Sequence, residues 1–230
     1  AEAGGTTRIF VDTAPVLERA AAVQAGLGFV GLNSNLIHPR WGSYLFLGGV
    51  LTQAALEPDM PSGGTCGRCR RCLEACPMDA LTQPRRVDAR RCAAYLTVEH
   101  RGAIPLELRP RLKRWVFGCD ACQEVCPFVQ RLRQPSCARF LRFDADTCAP
   151  RLADLLEMDE ASFQNRFGST PVSRTRLRGL RRSAAIVAGN SGRPELIPAL
   201  EKAADDPDPL VREHAGWALA RLRGAGGPPQ

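Results

Sequence analysis

The stretch CGRCRRCLEACP, residues 66–77, sets four cysteines two, two and three residues apart and ends on Cys76-Pro77. A shortened copy, CDACQEVCP, follows at residues 119–127, with Cys119, Cys122 and Cys126 ahead of Pro127. Eight of the ten cysteines fall between Cys66 and Cys126, and Cys92, between the runs, supplies the thiolate that the second run lacks. Two residues between cysteines make a tight loop in which successive sulfurs grip different irons of one cube. The x3-Cys-Pro step then starts a helix that carries the last sulfur to a neighbouring cube, and proline suits that start because its missing N–H is not needed there. The spacing predicts two [4Fe-4S] clusters with exchanged ligands, Cys66, Cys69, Cys72 and Cys126 on one and Cys76, Cys92, Cys119 and Cys122 on the other. Zinc also favours paired C-x2-C units, but it gives no reason for Cys-Pro after x3 in both runs. A disulfide framework suits small secreted domains, and this 230-residue chain starts with no signal-like apolar segment.

Working outward, the length allows one large domain or two to three small ones. Hydrophobic content of 44% supports a folded core, while apolar runs such as Tyr44–Leu47 are far too short for a bilayer. A soluble, cytoplasmic monomer without membrane attachment is expected, since thiolate-bound clusters need a reducing compartment. The formal charge is +7. Two oxidised cubanes with their thiolates, each about −2, bring this to about +3 without touching the arginines. The basic character is concentrated at Arg174, Arg176, Arg178, Arg181 and Arg182. Such density reads either as a solvated helix face or as a patch that contacts phosphates.

Ahead of the cysteines, Arg8–Val11 reads as a strand and Pro15–Ala25 as a helix closed by Gly26, the order of an α/β unit. Residues 1–60 hold too few strands for a whole doubly wound sheet, so an N-terminal part is expected to be missing. Gly26-x-Gly28-x-x-Gly31 matches a dinucleotide fingerprint but follows a helix rather than a strand, which removes the context that gives the motif meaning. Residues 61–135 form the cluster module, with connecting helices at Val87–Glu99 and Pro105–Val116. Residues 136–170 form a connecting helical segment in which Cys137 and Cys148 are expected as buried free thiols. In residues 171–223, Leu180-Arg-Arg182-x-x-Ala185-x-x-Ala188 recurs as Leu210-Val-Arg212-x-x-Ala215-x-x-Ala218, around a helical segment Pro194–Ala204. Small residues on one face with Asp/Pro punctuation predict a three-helix HEAT-like repeat, and residues 224–230 a disordered tail.

Asp12 lies between the first strand and helix, where it can be a helix cap or an active-site acid. The series Val11-Asp12-Thr-Ala-Pro15, Ala25-Gly-Leu-Gly28-Phe-Val-Gly31-x-Asn33, Gly42-Ser43, the two cysteine runs, Cys92-x-x-Tyr95-Leu-Thr97-x-Glu99 and Gly118-Cys-Asp120 resembles epoxyqueuosine reductase. The resemblance covers nearly the whole chain, including the repeat. It implies an α+β architecture in which a partial α/β cobalamin-binding unit precedes a bacterial-ferredoxin-like two-cluster module and the HEAT-like repeat. It further implies cobalamin and two [4Fe-4S] clusters as cofactors, Asp12 as proton donor, and corrinoid contacts at Asp12, Asn33, Ser34, Ser43, Leu47 and Glu99. Family members carry a further stretch before the strand at Arg8, including part of the corrinoid pocket, and Leu32 stands where a lysine is usual.

The implied reaction removes the epoxide oxygen of epoxyqueuosine at the tRNA wobble position. An external donor feeds the clusters, Asp12 protonates the departing oxygen, and the arginines hold the anticodon stem-loop by its phosphates. Two other readings compete. A ferredoxin-like electron carrier with a partner-docking helical tail would bind neither corrinoid nor RNA. A reductive dehalogenase shares the cofactors but is commonly exported.

Overall fold

The structure, a computed structural model, describes residues 6–12, 14–131 and 148–224. Cys137 and the tail beyond Gly224 lie outside those residues. In chain order the elements are β1 (Thr7–Phe10), α1 (Glu18–Gln24), β2 (Phe29–Val30), β3 (Leu36–Ile37), β4 (Gly49–Thr52), α2 (Arg71–Ala75), α3 (Ala93–Val98), α4 (Ala121–Glu124) and α5 (Pro127–Gln130). After residue 147 come α6 (Leu152–Glu157), α7 (Glu160–Phe167), α8 (Arg176–Asn190), α9 (Ile197–Ala204) and α10 (Pro209–Gly224). The chain divides into two compact units, unit 1 of Ala1–Cys76, Leu81–Val87 and Ala121–Gln134, and unit 2 of Pro77–Ala80, Asp88–Asp120 and Pro135–Gln230. The division passes through the expected cysteine module rather than around it.

In unit 1, β1 precedes α1 as expected, but β1 pairs antiparallel with β4, Thr7 opposite Thr52 and Phe10 opposite Gly49. The second ribbon, β2 with β3, is also antiparallel. Among the described residues both strand pairs are thus antiparallel, and there is no parallel pair. Glycine explains how the ribbons close. A side chain on Gly28 would strike the carbonyl of Ile37, so the run Gly26-x-Gly28-x-x-Gly31 serves the close approach of two backbones. Helix α1 begins at Glu18, three residues later than expected, with Leu17 at its N-cap and no side-chain bond there. Asp12, exposed and at φ +59°, is therefore not the cap.

Unit 2 is organised by helices whose small residues let them meet closely. Leu155, Phe163 and Phe167 of α6 and α7 pack with Leu180, Ala184 and Ala188 of α8, Leu200 of α9, and Val211, Ala215 and Ala218 of α10. A side chain on Gly189 would lie 2.8 Å from the Ala218 Cα, so α8 and α10 touch nearly backbone to backbone. The expected helix Val87–Glu99 is helical only over Ala93–Val98, because the chain turns first, with the Cys92 amide bonded 3.1 Å from the Asp88 carbonyl. The expected helix Pro105–Val116 shrinks to a 3-10 turn at Pro110–Leu112. Pro110 has no N–H for a helical bond, and Lys113 at φ +49° ends the turn.

Arg182 corrects the arginine reading. It is wholly buried, and its guanidinium donates to the carbonyls of Leu96 at 2.6 Å, His100 at 2.8 Å and Gly102 at 2.9 Å. Burial, with Arg101 and Arg178 nearby, pushes its pKa down to about 10. Three-residue steps place it on the same α8 face as Ala185 and Ala188, the packed one. His214, also buried, accepts the Ile104 N–H at Nε2 over 3.1 Å, which leaves Nδ1 to donate to the Leu210 carbonyl at 2.7 Å. Cys148 is exposed, contrary to the expectation of a buried thiol.

Candidate metal centre

Four cysteines from the two runs meet in unit 1. Cys72 sits in the first turn of α2, and Cys126 caps α5 with Pro127 at its first position, as the Cys-Pro step predicts. The other Cys-Pro step differs, since Cys76 ends α2 and Pro77-Met78 form a turn rather than a helix. Cys66, Cys69, Cys72 and Cys126 line one cavity of about 280 Å³, walled by Leu32, Ile37 and Phe128, with Arg71 the charged residue of its lining. That volume is far above the roughly 30 Å³ share of one water. A single tetrahedral zinc would instead draw four sulfurs together. Among the described residues no three His, Cys, Asp or Glu side chains converge on one ion.

The donor set suits a cation-rich group. Burial pushes the Cys72 thiol above its ordinary value, and the neighbouring Cys66 and then Cys69 add to the rise. Thiolates so grouped are stable together only when positive charge stands among them. The Leu32 N–H donates to Cys66 Sγ at 3.4 Å, a bond of the kind that tunes an iron–sulfur potential. Phe29 meets Phe128 edge to face at 5.5 Å between ring centres and closes the apolar side. Sequence reasoning missed Leu32 and Arg71, since a backbone donor and a rim cation leave no motif.

The second set is divided, with Cys76 and Cys122 in unit 1 and Cys92 and Cys119 in unit 2. Cys92 holds the N-cap of α3, and Gly118, at φ +69°, immediately precedes Cys119.

The expected corrinoid contacts fall at Asp12, Asn33, Ser34, Ser43 and Leu47 in unit 1 and at Glu99 in unit 2. Asn33 is buried in the lining of the sulfur cavity, its Nδ2 donating to the Cys122 carbonyl at 3.4 Å and its Oδ1 accepting the Asn35 N–H at 3.2 Å. Ser43 donates to Gln123 Oε1 at 2.9 Å. The Ser34 hydroxyl is buried with no hydrogen-bond partner among the described residues, while its carbonyl accepts from Arg19 and its backbone stands at φ +63°. Leu47 is half-buried beside the exposed Phe46. Glu99, exposed, pairs with Arg174 at 3.8 Å and Arg101 at 3.9 Å.

The arginine patch separates into three classes. Arg174, Arg176 and Arg178 are exposed, with Arg178 paired to Asp208 at 3.1 Å. Arg181 is mostly covered, bonded to Asp206 and, at 2.8 Å, to the Leu156 carbonyl. Arg182 belongs to the interior and is withdrawn as an RNA contact.

Residues 65–129 match the family description "4Fe-4S double cluster binding domain", and residues 176–229 match HEAT repeats. The epoxyqueuosine reductase of Xanthomonas campestris pv. campestris is 44% identical over 218 residues, 93% of this chain and 60% of that protein. That of Pseudomonas aeruginosa is 46% identical over 220 residues, with the same shares. A crystal structure of an epoxyqueuosine reductase with an epoxyqueuosine-modified tRNA-Tyr stem loop superposes with a TM-score of 0.90 at 32% identity, covering 95% of this chain and 58% of that one. The Streptococcus thermophilus enzyme gives 0.88 at 33% identity, with 98% and 59% covered. The chain thus spans about 60% of the length of the curated relatives it matches. With a paired-cluster motif, a helical repeat and this likeness along nearly all of its residues, the chain is a homologue of the epoxyqueuosine reductases.

Proposed function

We propose that this chain takes part in the reductive removal of the epoxide oxygen from epoxyqueuosine in the anticodon loop of tRNA. The observation that carries the reading is the cavity where Cys126, from the second cysteine run, joins Cys66, Cys69 and Cys72 from the first. Ligands exchanged between runs are the mark of two clusters in electron contact. Spacing assigns the second cluster to Cys76, Cys92, Cys119 and Cys122. The substrate follows from the relatives, one of which is solved with the modified stem loop.

Cobalamin, when bound, would supply reducing chemistry at cobalt directed at the epoxide. Two features of unit 1 fit such a group. Among the described residues the buried Ser34 hydroxyl has no hydrogen-bond partner, and Tyr44 and Phe46 offer exposed aromatic surface for a broad apolar macrocycle. Ser34 and Leu47 would hold it, with Asn33 and Ser43 fixing the loops through the bonds they already make. The part of Asp12 is to deliver a proton to the departing oxygen, a step worth a factor of about a hundred to ten thousand. Its left-handed backbone, at φ +59° between β1 and α1, is a conformation that aspartate adopts more readily than most residues. One Bacillus subtilis relative is described with its aspartate catalytic loop swung out of the active site. Arg174, Arg176 and Arg178 would hold tRNA phosphates, positioning the loop without reading its sequence.

Anaerobic reconstitution, followed by iron and cobalt analysis and an assay on epoxyqueuosine-containing stem loop, tests the reading. About eight irons and bound corrinoid are expected, with turnover, assayed in a full-length context, that Asp12→Asn abolishes without loss of iron. Eight irons with no corrinoid would favour the electron carrier, and zinc would overturn both.

A further inference from the structure

Unit 2 holds a polar chain that runs from the cysteine motifs into the helical repeat. Thr97, wholly buried in α3, donates its hydroxyl to the Ala93 carbonyl at 2.8 Å. The same oxygen accepts the N–H of Gly118 at 3.0 Å. Gly118 is the residue before Cys119, and Cys92 caps the helix on which Thr97 stands. The Thr97 carbonyl in turn accepts the Thr175 hydroxyl at 3.0 Å, from the residue that opens α8. A side chain on Gly179 would collide with that hydroxyl, so α8 keeps a space for it. Arg182 holds the adjacent Leu96 carbonyl.

A mid-helix threonine ordinarily satisfies itself by bonding back to the preceding turn. Thr97 does so and also accepts the partly buried amide of Gly118, 21 residues away. Gly118 has φ +69° and no side chain of its own to fix it, so this hydrogen bond helps to define where the chain enters Cys119. Ligand orientation and nearby hydrogen bonds are the means by which a protein sets the potential of a cluster.

We propose that Thr97 is a positioning residue for the second cluster, its hydroxyl joining the helix that starts after Cys92 to the glycine that precedes Cys119, with the helical repeat bracing it through Thr175. The inference rests on the assignment of Cys92 and Cys119 to one cluster. The repeat then has a part in the redox chemistry as well as in any contact with RNA.

The test uses the whole cluster-loaded chain with Thr97→Val, which keeps the shape but removes the acceptor, and Thr97→Ser, which restores it. Iron content and the electron paramagnetic resonance spectrum and midpoint potential of each cluster are measured. Thr97→Val is expected to keep about eight irons while shifting the spectrum and potential of one cluster and leaving the other unmoved, and Thr97→Ser to return both to the parent values. Thr175→Val, which leaves Thr97 in place and removes only its brace, is expected to shift the same cluster by less, and it carries the test if Thr97→Val does not fold. If both clusters keep parent spectra and potentials in whichever of these variants folds, the proposal is overturned. A parent chain with about four irons would instead sink the two-cluster reading beneath it.

Discussion

Of the large apolar residues exposed among the described ones, only Tyr95 and Leu106 belong to unit 2, and the rest, from Ile9 through Phe46 to Met60 and Val87, belong to unit 1. The cores show the same contrast. Among the described residues around the sulfur cavity, Phe29, Ile37 and Cys126 form a small buried cluster with Cys66, Phe128 and Val129 packed against it, whereas unit 2 closes a continuous core from Leu155 to Leu219. The larger core supports a fold by burial, and the smaller one contributes far less. Unit 1 is arranged by what its cysteines bind, and unit 2 by what its helices bury.

The largest effect should come from breaking that difference directly. Stripping iron with a chelator under oxidising conditions is expected to open unit 1 to protease within residues 6–76 while residues 148–224 stay resistant, since metal-ligand energy is folding energy where the core is thin. Equal protection of both regions, read by mass spectrometry of the fragments, would show that unit 1 has a core of its own.

A second, smaller effect belongs to unit 2. Burial holds the His214 imidazole down to about 4 from an ordinary 6.5, with Arg109 and Arg182 adding to the depression against the Leu210 carbonyl and Glu213. As pH falls from 6.5 towards 4, the unfolded chain takes up a proton that the folded one refuses, so stability declines through that window and levels off below it. The loss should reach about 3 kcal/mol. Urea unfolding followed by helical circular dichroism at pH 7 and pH 4.5 measures it, and His214→Gln should flatten the dependence. An unchanged slope in that variant would assign the acid sensitivity elsewhere.

The smallest effect sharpens the contrast from the other side. Lys202 and Glu157 pair at 2.9 Å with side chains 69% and 45% exposed. Lys202→Ala should cost less than about 1 kcal/mol in the same unfolding experiment. A loss of several would mean that surface charge, rather than burial, holds the repeat.

Much of this was readable in advance, for reasons specific to each residue. The set Cys66, Cys69, Cys72 and Cys126 follows from spacing because loop length dictates which sulfurs can reach one cube, and these four line one cavity. The repeat was visible because identical helix faces recur at a fixed interval, as the HEAT match over residues 176–229 agrees. Pairing of β1 with β4 was not, since partners some forty residues apart leave no local trace. Arg182 was misread because charge density drew attention before helical phase did. Its three-residue offset from Ala185, on the packed face, was the available signal.

That same arginine has a consequence for how the repeat finds its place. Ala184, Ala185, Ala188, Ala203, Ala215 and Ala218 are buried and of one size, so at these positions side-chain shape alone does little to fix the register of a helix. A cation seated among the three carbonyls of Leu96, His100 and Gly102 cannot slide with it, because any other register would strand its charge in an apolar interior. Arg182 acts as the key that admits one alignment and refuses its near copies.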